Sequence, residues 1–148
     1  CESLDTDTEN SKFILHRIGP GTGNIAAVPA MTREQAIASV EAGIQTAASL
    51  GAETDVFGTG DMGIGNTTPS TAVLAALTDV SVEDVTGRGT GVPDEQLAHK
   101  TAIIKQALQK NAPDKDDPLD VLAKVGGFEI GGIAGLILGA AFQQKRFL

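Results

Sequence analysis

The clearest periodicity in the chain runs from Thr32 to Leu50. Ile37, Val40, Ile44, Ala47 and Leu50 recur at steps of three and four, the spacing of one face of a helix. Thr32 is followed three residues later by Gln35, the pattern of a capping box, and Gly51 suits the position just past a helix end. This predicts an amphipathic helix with its large apolar side chains turned inward and a structural role. Asp55-Val56-Phe57 then reads as a short buried strand. The glycine-rich run Gly58 to Thr68 follows, and Thr68-Pro69 reads as the N-cap and first residue of a helix over 69–77.

A second strand, loop and helix is predicted further on. Val80, Val82 and Val85 supply the apolar part, and Gly87-Arg88-Gly89-Thr90-Gly91 the loop. Pro93-Asp94-Glu95 opens a helix with Leu97, Ile104 and Leu108 on its apolar stripe, ended by Asn111 and Pro113. Asp117-Pro118 starts a short helix through Val125, closed by Gly126-Gly127. The last helix carries Gly127, Gly131, Gly135 and Gly139 at four-residue spacing. Each glycine costs a helix roughly 1 kcal/mol relative to Ala, so this ridge calls for close packing of another backbone, within the sheet layer or across an interface. Near the ends, Phe13-Ile14-Leu15 is read as a short strand within an otherwise irregular segment, residues 1–19. Phe147-Leu148 is read as the start of another strand.

Strand, loop and helix in alternation give the fold expectation. It is one α/β domain over residues 1–148, three-layered, with a mostly parallel sheet and helices on both faces in a Rossmann-like manner. Because a strand begins at Phe147, the chain is expected to be a piece of a longer protein.

Composition narrows the function. The 148 residues carry a net charge of -8 and only 3% aromatic side chains, with no Trp or Tyr. A nucleic-acid partner is therefore not expected: it calls for a basic patch and, for single strands, stacking aromatics. The single cysteine, Cys1, forms no internal disulfide and no multi-cysteine zinc site. No apolar leader precedes the polar start, and the most apolar run, Gly126 to Phe142, is short for a membrane span and includes Glu129. A cytoplasmic protein without a membrane partner is expected, and neither metal nor cofactor.

The two glycine-threonine loops, each placed before a helix, hold the candidate chemistry. Glycine lets a ligand approach the backbone closely, and a helix start favours an anion. One ligand clasped from two sides, bearing a phosphate, is one reading; tight turns and helix caps are the other. Gly58-x-Gly60-x-x-Gly63, with Asp79 or Glu83 about 20 residues on, matches a dinucleotide fingerprint. An NAD-dependent dehydrogenase is disfavoured, however, because Gly65 and Pro69 delay the helix. Arg88 could reach a phosphate or a carboxylate from its loop, and Lys100 could neutralise a phosphate. Asp61 could bind a ribose hydroxyl or stabilise developing positive charge. His16 and His99 have no partner at ligand spacing. Glu129 reads first as an acid of a helix N-terminus.

Three phrases carry a resemblance: Gly60-Asp61-Met62-Gly63-Ile64-Gly65-Asn66-Thr67-Thr68, Gly87-Arg88-Gly89-Thr90-Gly91 and Val125-Gly126-Gly127-Phe128-Glu129-Ile130. With Asn24-Ile25 and Pro29 to Ala36 upstream, they resemble the nicotinate-nucleotide–dimethylbenzimidazole phosphoribosyltransferase family from about residue 20 to 148. The resemblance implies transfer of phosphoribose from nicotinate mononucleotide to 5,6-dimethylbenzimidazole in cobalamin biosynthesis, with inversion at the anomeric carbon and nicotinate leaving. It implies a phosphate held by Gly63, Gly65, Asn66, Thr67, Thr68, Arg88, Gly89, Thr90 and Lys100, with Asp61 and Met62 bordering ribose and base. It also implies a homodimer acting on small molecules. Two departures stand out. The family usually has Glu where this chain has Asp61, and its catalytic glutamate lies downstream of the glycine-ridged helix, outside this chain. Glu129 does not fill that gap, because the family has a glutamate there as well. A truncated, non-catalytic nucleotide-binding module is the alternative.

Overall fold

The computed structural model describes residues 14–78, 80–87 and 94–148. Helix α1 (Arg33–Leu50) starts at the capping box read from the sequence. Gln35 N donates to Thr32 Oγ1 at 3.2 Å, and Thr32 N donates to Gln35 Oε1 at 3.0 Å. The face it buries coincides with the predicted one only at Ala47. Ala36, Ser39, Gly43 and Ala47 are buried, whereas Ile37, Ile44 and Leu50 remain 37%, 39% and 41% exposed.

The reason is the partner of α1, the glycine-ridged helix α6 (Phe128–Phe142). Gly131 lies against Ser39, Gly135 against Val40 and Gly43, and Gly139 against Ile44 and Ala47. A Cβ at Gly139 would stand 2.6 Å from Ala47 Cβ, and one at Gly43 would stand 2.5 Å from the Leu136 amide nitrogen. Backbones this close admit only small side chains on both helices, so size rather than hydrophobicity chose the buried stripe. The ridge is thus used within the chain. Gly127, the first of the four-residue series, is the N-cap of α6 rather than part of the contact.

Between these helices in sequence, β1 (Val56–Phe57) pairs in parallel with β2 (Arg146–Phe147), Val56 opposite Arg146 and Phe57 opposite Phe147. Leu148 N extends the pairing to Phe57 O at 2.9 Å. Phe57 is buried with Ala47 and Ala140, which ties the sheet to the α1–α6 pair. The described residues are therefore α/β in the coarse sense, mostly helical with a small parallel sheet. Ile14 and Leu15 lie in irregular backbone rather than a strand, and Phe13 falls outside the described residues. Residues 14–19 are irregular.

The remaining helices pack mainly on one another, and the one just before α6 also packs on α1. Helix α2 (Thr67–Leu77) begins earlier than Thr68-Pro69 predicts: Asn66 is its N-cap and Pro69 lies within its first turn. Proline is tolerated there because the N–H it lacks would have no intrahelical acceptor. Where Val80 to Val85 suggested a strand, the chain makes a single helical turn, α3 (Val82–Val85). Its cause is local, since Ser81 Oγ accepts from Asp84 N at 3.2 Å as an N-cap. Helix α4 (Asp94–Asn111) ends where Asn111 and Pro113 indicated, with Ile104 fully buried against Ala72, Val121 and Val125.

Helix α5 (Pro118–Val125) follows the sequence closely. Asp117 caps it by accepting from Leu119 N at 3.1 Å and Asp120 N at 3.2 Å, and is itself paired with Arg33 at 2.7 Å. At the other end, Ala30 N and Met31 N donate to Lys124 O and Ala123 O at 3.0 and 2.9 Å, which satisfies carbonyls of the last turn. No described helix is long and apolar enough to cross a membrane.

Candidate functional site

The loop from Gly58 to Asn66 runs between β1 and α2 and reverses direction at two glycines. Gly63 and Gly65 adopt φ of +73° and +81°, a left-handed conformation that residues with a Cβ rarely take. The turns bring the chain to the start of α2 with Asn66 in a helical conformation and no side chain capping the first N–H groups. Thr67 and Thr68 keep amides that lack intrahelical acceptors. The hydroxyls nearby are turned the other way, Ser70 Oγ donating to Asn66 O at 2.8 Å and Thr71 Oγ1 to Thr67 O at 2.9 Å. An uncapped helix start with its positive dipole end is a natural place for an anion.

Helix α4 brings a cation to the same place. Lys100 Nζ donates to Thr67 Oγ1 at 3.0 Å and to Gly87 O at 3.4 Å. Asp61, Gly63, Asn66, Thr67, Gly87 and Lys100 thereby line one cavity of about 520 Å³, with Ser70, Thr71, Leu74 and Val85 behind them. A second cavity of about 370 Å³ adjoins it, because Asp61 and Asn66 line both. Its other walls include Gly65, Thr22, Phe128 and Glu129. Ammonium, amides and a hydroxyl at one end, with carboxylates at the other, can hold a molecule that carries a phosphate at one end and neutral donors next to it.

A family model described as phosphoribosyltransferase matches residues 2–148. The chain belongs to the phosphoribosyltransferase family.

It is similar to the nicotinate-nucleotide–dimethylbenzimidazole phosphoribosyltransferase of Syntrophotalea carbinolica, 56% identical over the whole of this chain and 42% of that protein. The enzyme of the same name from Desulfotalea psychrophila is 54% identical, over 92% of this chain and 38% of its own length. Among solved structures, CobT from Thermus thermophilus superposes with a TM-score of 0.83 at 38% identity, covering 90% of this chain and 40% of that one. This phosphoribosyltransferase-family chain thus spans about two fifths of the length of the curated relatives it matches. The family suggested by the three phrases is borne out.

The predicted site residues of this family member divide into groups. Asp61, Gly63, Asn66, Thr67 and Lys100 share the larger cavity, and Gly65 lies on the adjoining one. Thr68 lines a third cavity of about 190 Å³ with Asn24, Ile25 and Gly126, which adjoins the second through Thr22, Gly65 and Pro69. Met62 points outward and is 83% exposed. Arg88, Gly89 and Thr90 lie outside the described residues, as does Asp79 of the dinucleotide pattern. The other acid of that pattern, Glu83, is paired with Lys105, whose hydrogen bond holds the carboxyl below its ordinary range. Among the described residues no group of three or more His, Cys, Asp or Glu side chains comes together as a metal site would require. Sequence reasoning missed the part of Gly87, whose carbonyl fixes Lys100, and the presence of Thr22 on the cavity wall. Only the fold brings these beside the loop.

Proposed function

We propose that this chain forms the phosphoribosyl-binding portion of a nicotinate-nucleotide–dimethylbenzimidazole phosphoribosyltransferase. The reaction moves phosphoribose from nicotinate mononucleotide to 5,6-dimethylbenzimidazole, giving α-ribazole 5′-phosphate and nicotinate. The observation that carries this reading is the convergence of Lys100 Nζ and the uncapped start of α2 on one cavity, in a chain of this family. The phosphate is held by Lys100, Thr67 and the loop amides from Gly63 to Thr68, and Arg88, Gly89 and Thr90 are assigned to its binding by the family resemblance alone.

Cleaving the bond between ribose and nicotinate builds positive charge on the sugar, and a carboxylate beside the ring stabilises it. Asp61, at the junction of the two cavities, has that role. Because Asp is one methylene shorter than the Glu usual in the family, the carboxylate stands farther from the sugar, at some cost in rate. The base that takes the benzimidazole proton belongs to a segment outside these residues, so the chain acts as the central part of a longer protein. In that setting β1 and β2 form part of a three-layer, mostly parallel, Rossmann-like sheet with helices on both faces, in a single domain of a cytoplasmic homodimer. The second reading is a phosphate- or nucleotide-binding module without turnover.

Incubation of the chain with nicotinate mononucleotide and dimethylbenzimidazole, followed by chromatography, separates the two. Release of nicotinate establishes a self-sufficient transferase, and binding without release establishes the module. Failure to bind the mononucleotide sinks both.

A further inference from the structure

Glu129 occupies a position that its reading as a helix-terminal acid does not account for. It lies in the first turn of α6, yet the N-cap Gly127 receives no side-chain cap, so the carboxylate is not spent on the helix amides. Instead it folds against Gly127, where a Cβ would stand 2.6 Å from Glu129 Oε2. The residue is half-buried, and among the described residues it makes no hydrogen bond or ion pair. A carboxylate carries acceptors only, so a ligand group that meets Glu129 in this position must be one that donates hydrogen bonds.

The cavity defines that ligand further. Glu129 lines the space that adjoins the Lys100 cavity through Asp61 and Asn66, and it also borders a larger apolar cavity of about 480 Å³ between α1 and α6. Asp61 lines both spaces, but the adjoining one adds the Glu129 carboxylate where the other has the Lys100 ammonium, so a phosphate belongs with Lys100 and a neutral, hydroxyl-bearing group beside Glu129. A nucleotide whose phosphate rests at Lys100 has such a group next along its length, the ribose diol. Resting on the nucleotide reading given above, we infer that Glu129 is a specificity-determining residue whose carboxylate accepts hydrogen bonds from the sugar hydroxyls. It selects a ribonucleotide over its deoxy counterparts, and the opposed charges of Lys100 and Glu129 fix which way round the nucleotide lies.

The test titrates nicotinate mononucleotide, its 2′-deoxy and 3′-deoxy forms, and inorganic phosphate into the chain and into the Glu129→Ala and Glu129→Gln variants. Hydrogen bonds to a charged group make discrimination of roughly 10- to 100-fold the expectation for the unaltered chain against at least one deoxy form. Glu129→Ala brings that ratio to within about twofold and Glu129→Gln to an intermediate value, while inorganic phosphate binds all three proteins alike. An unchanged ribo-to-deoxy ratio in a folded Glu129→Ala protein, or no discrimination in the unaltered chain, overturns the inference and leaves the phosphate site standing. Absence of mononucleotide binding to the unaltered chain removes the nucleotide reading itself, and this inference with it.

Discussion

Lys100 Nζ and Thr67 Oγ1 meet at 3.0 Å, joining a cation from α4 to the first helical residue of α2. The two residues are separated by 33 positions in the chain, and the loop between them holds Gly87, whose carbonyl takes a second bond from the same ammonium at 3.4 Å. An ammonium held by two neutral acceptors at an uncapped helix start keeps its charge available for an anion. Replacement of Lys100 by Ala is expected to weaken inorganic phosphate binding roughly 10- to 100-fold, as for a lost charge-assisted hydrogen bond. The thermal midpoint should hardly move, and calorimetry beside a melting curve reads both.

The left-handed turn at Gly65 gives a second expectation. A Cβ there meets nothing within 4 Å, so the obstacle to Ala is backbone strain at φ +81° and not crowding. Gly65→Ala should cost about 1–2 kcal/mol in the loop conformation and weaken phosphate binding accordingly, about tenfold. Gly65→Asn, which tolerates positive φ better, should recover part of the loss.

The contact between α1 and α6 responds in the opposite way, through crowding. A Cβ at Gly135 would press on the carbonyl of Val40 and stand 3.1 Å from Gly43 Cα, with helix backbone on both sides and no flexible side chain to yield. Gly135→Ala is expected to destabilise the chain by about 2 kcal/mol, roughly 6 °C in thermal midpoint, despite the better helix propensity of Ala. Ala at Gly132, where the nearest backbone atom is 3.9 Å away, should be neutral or slightly stabilising.

Acid sensitivity is expected at the start of α5. The hydrogen bond from Arg33, followed by the backbone amides of Asp120 and Leu119, holds the Asp117 carboxyl below its ordinary value of 3.8. A depressed folded value means the stabilisation is fully present above about pH 4 and is lost as pH falls through the folded value. Arg33 is raised by its hydrogen bond to the same partner, so its own charge stays constant throughout the acid range. Asp117→Asn keeps a good N-cap and removes the charge. Its melting midpoint should therefore lie below that of the unaltered chain near neutral pH and converge with it on acidification. The gap should be modest and shrink with salt, because both side chains are largely solvated.

How far these features could be read from residues alone depends on their range. Helices α4 and α5 were legible because their signals are local: Asp117-Pro118 at one end, and Asn111 with Pro113 at another. The capping box at Thr32 was equally plain, yet the buried face of α1 was not. Hydrophobic period points to Ile37 and Ile44, whereas contact with a glycine ridge selects Ala36, Ser39, Gly43 and Ala47. That choice depends on the partner helix, which no window along α1 contains. Similarly, the loop phrases identified the family, while the meeting of Lys100 with Thr67 and the placement of Glu129 across from Asp61 exist only once the helices are packed.

The most direct test of the central claim is calorimetric titration of nicotinate mononucleotide into the chain, with and without saturating inorganic phosphate. One saturable site per chain, displaced competitively by phosphate, is the predicted result. Either no binding or a mononucleotide isotherm that phosphate leaves unchanged would contradict a phosphoribosyl site at Lys100 and Thr67.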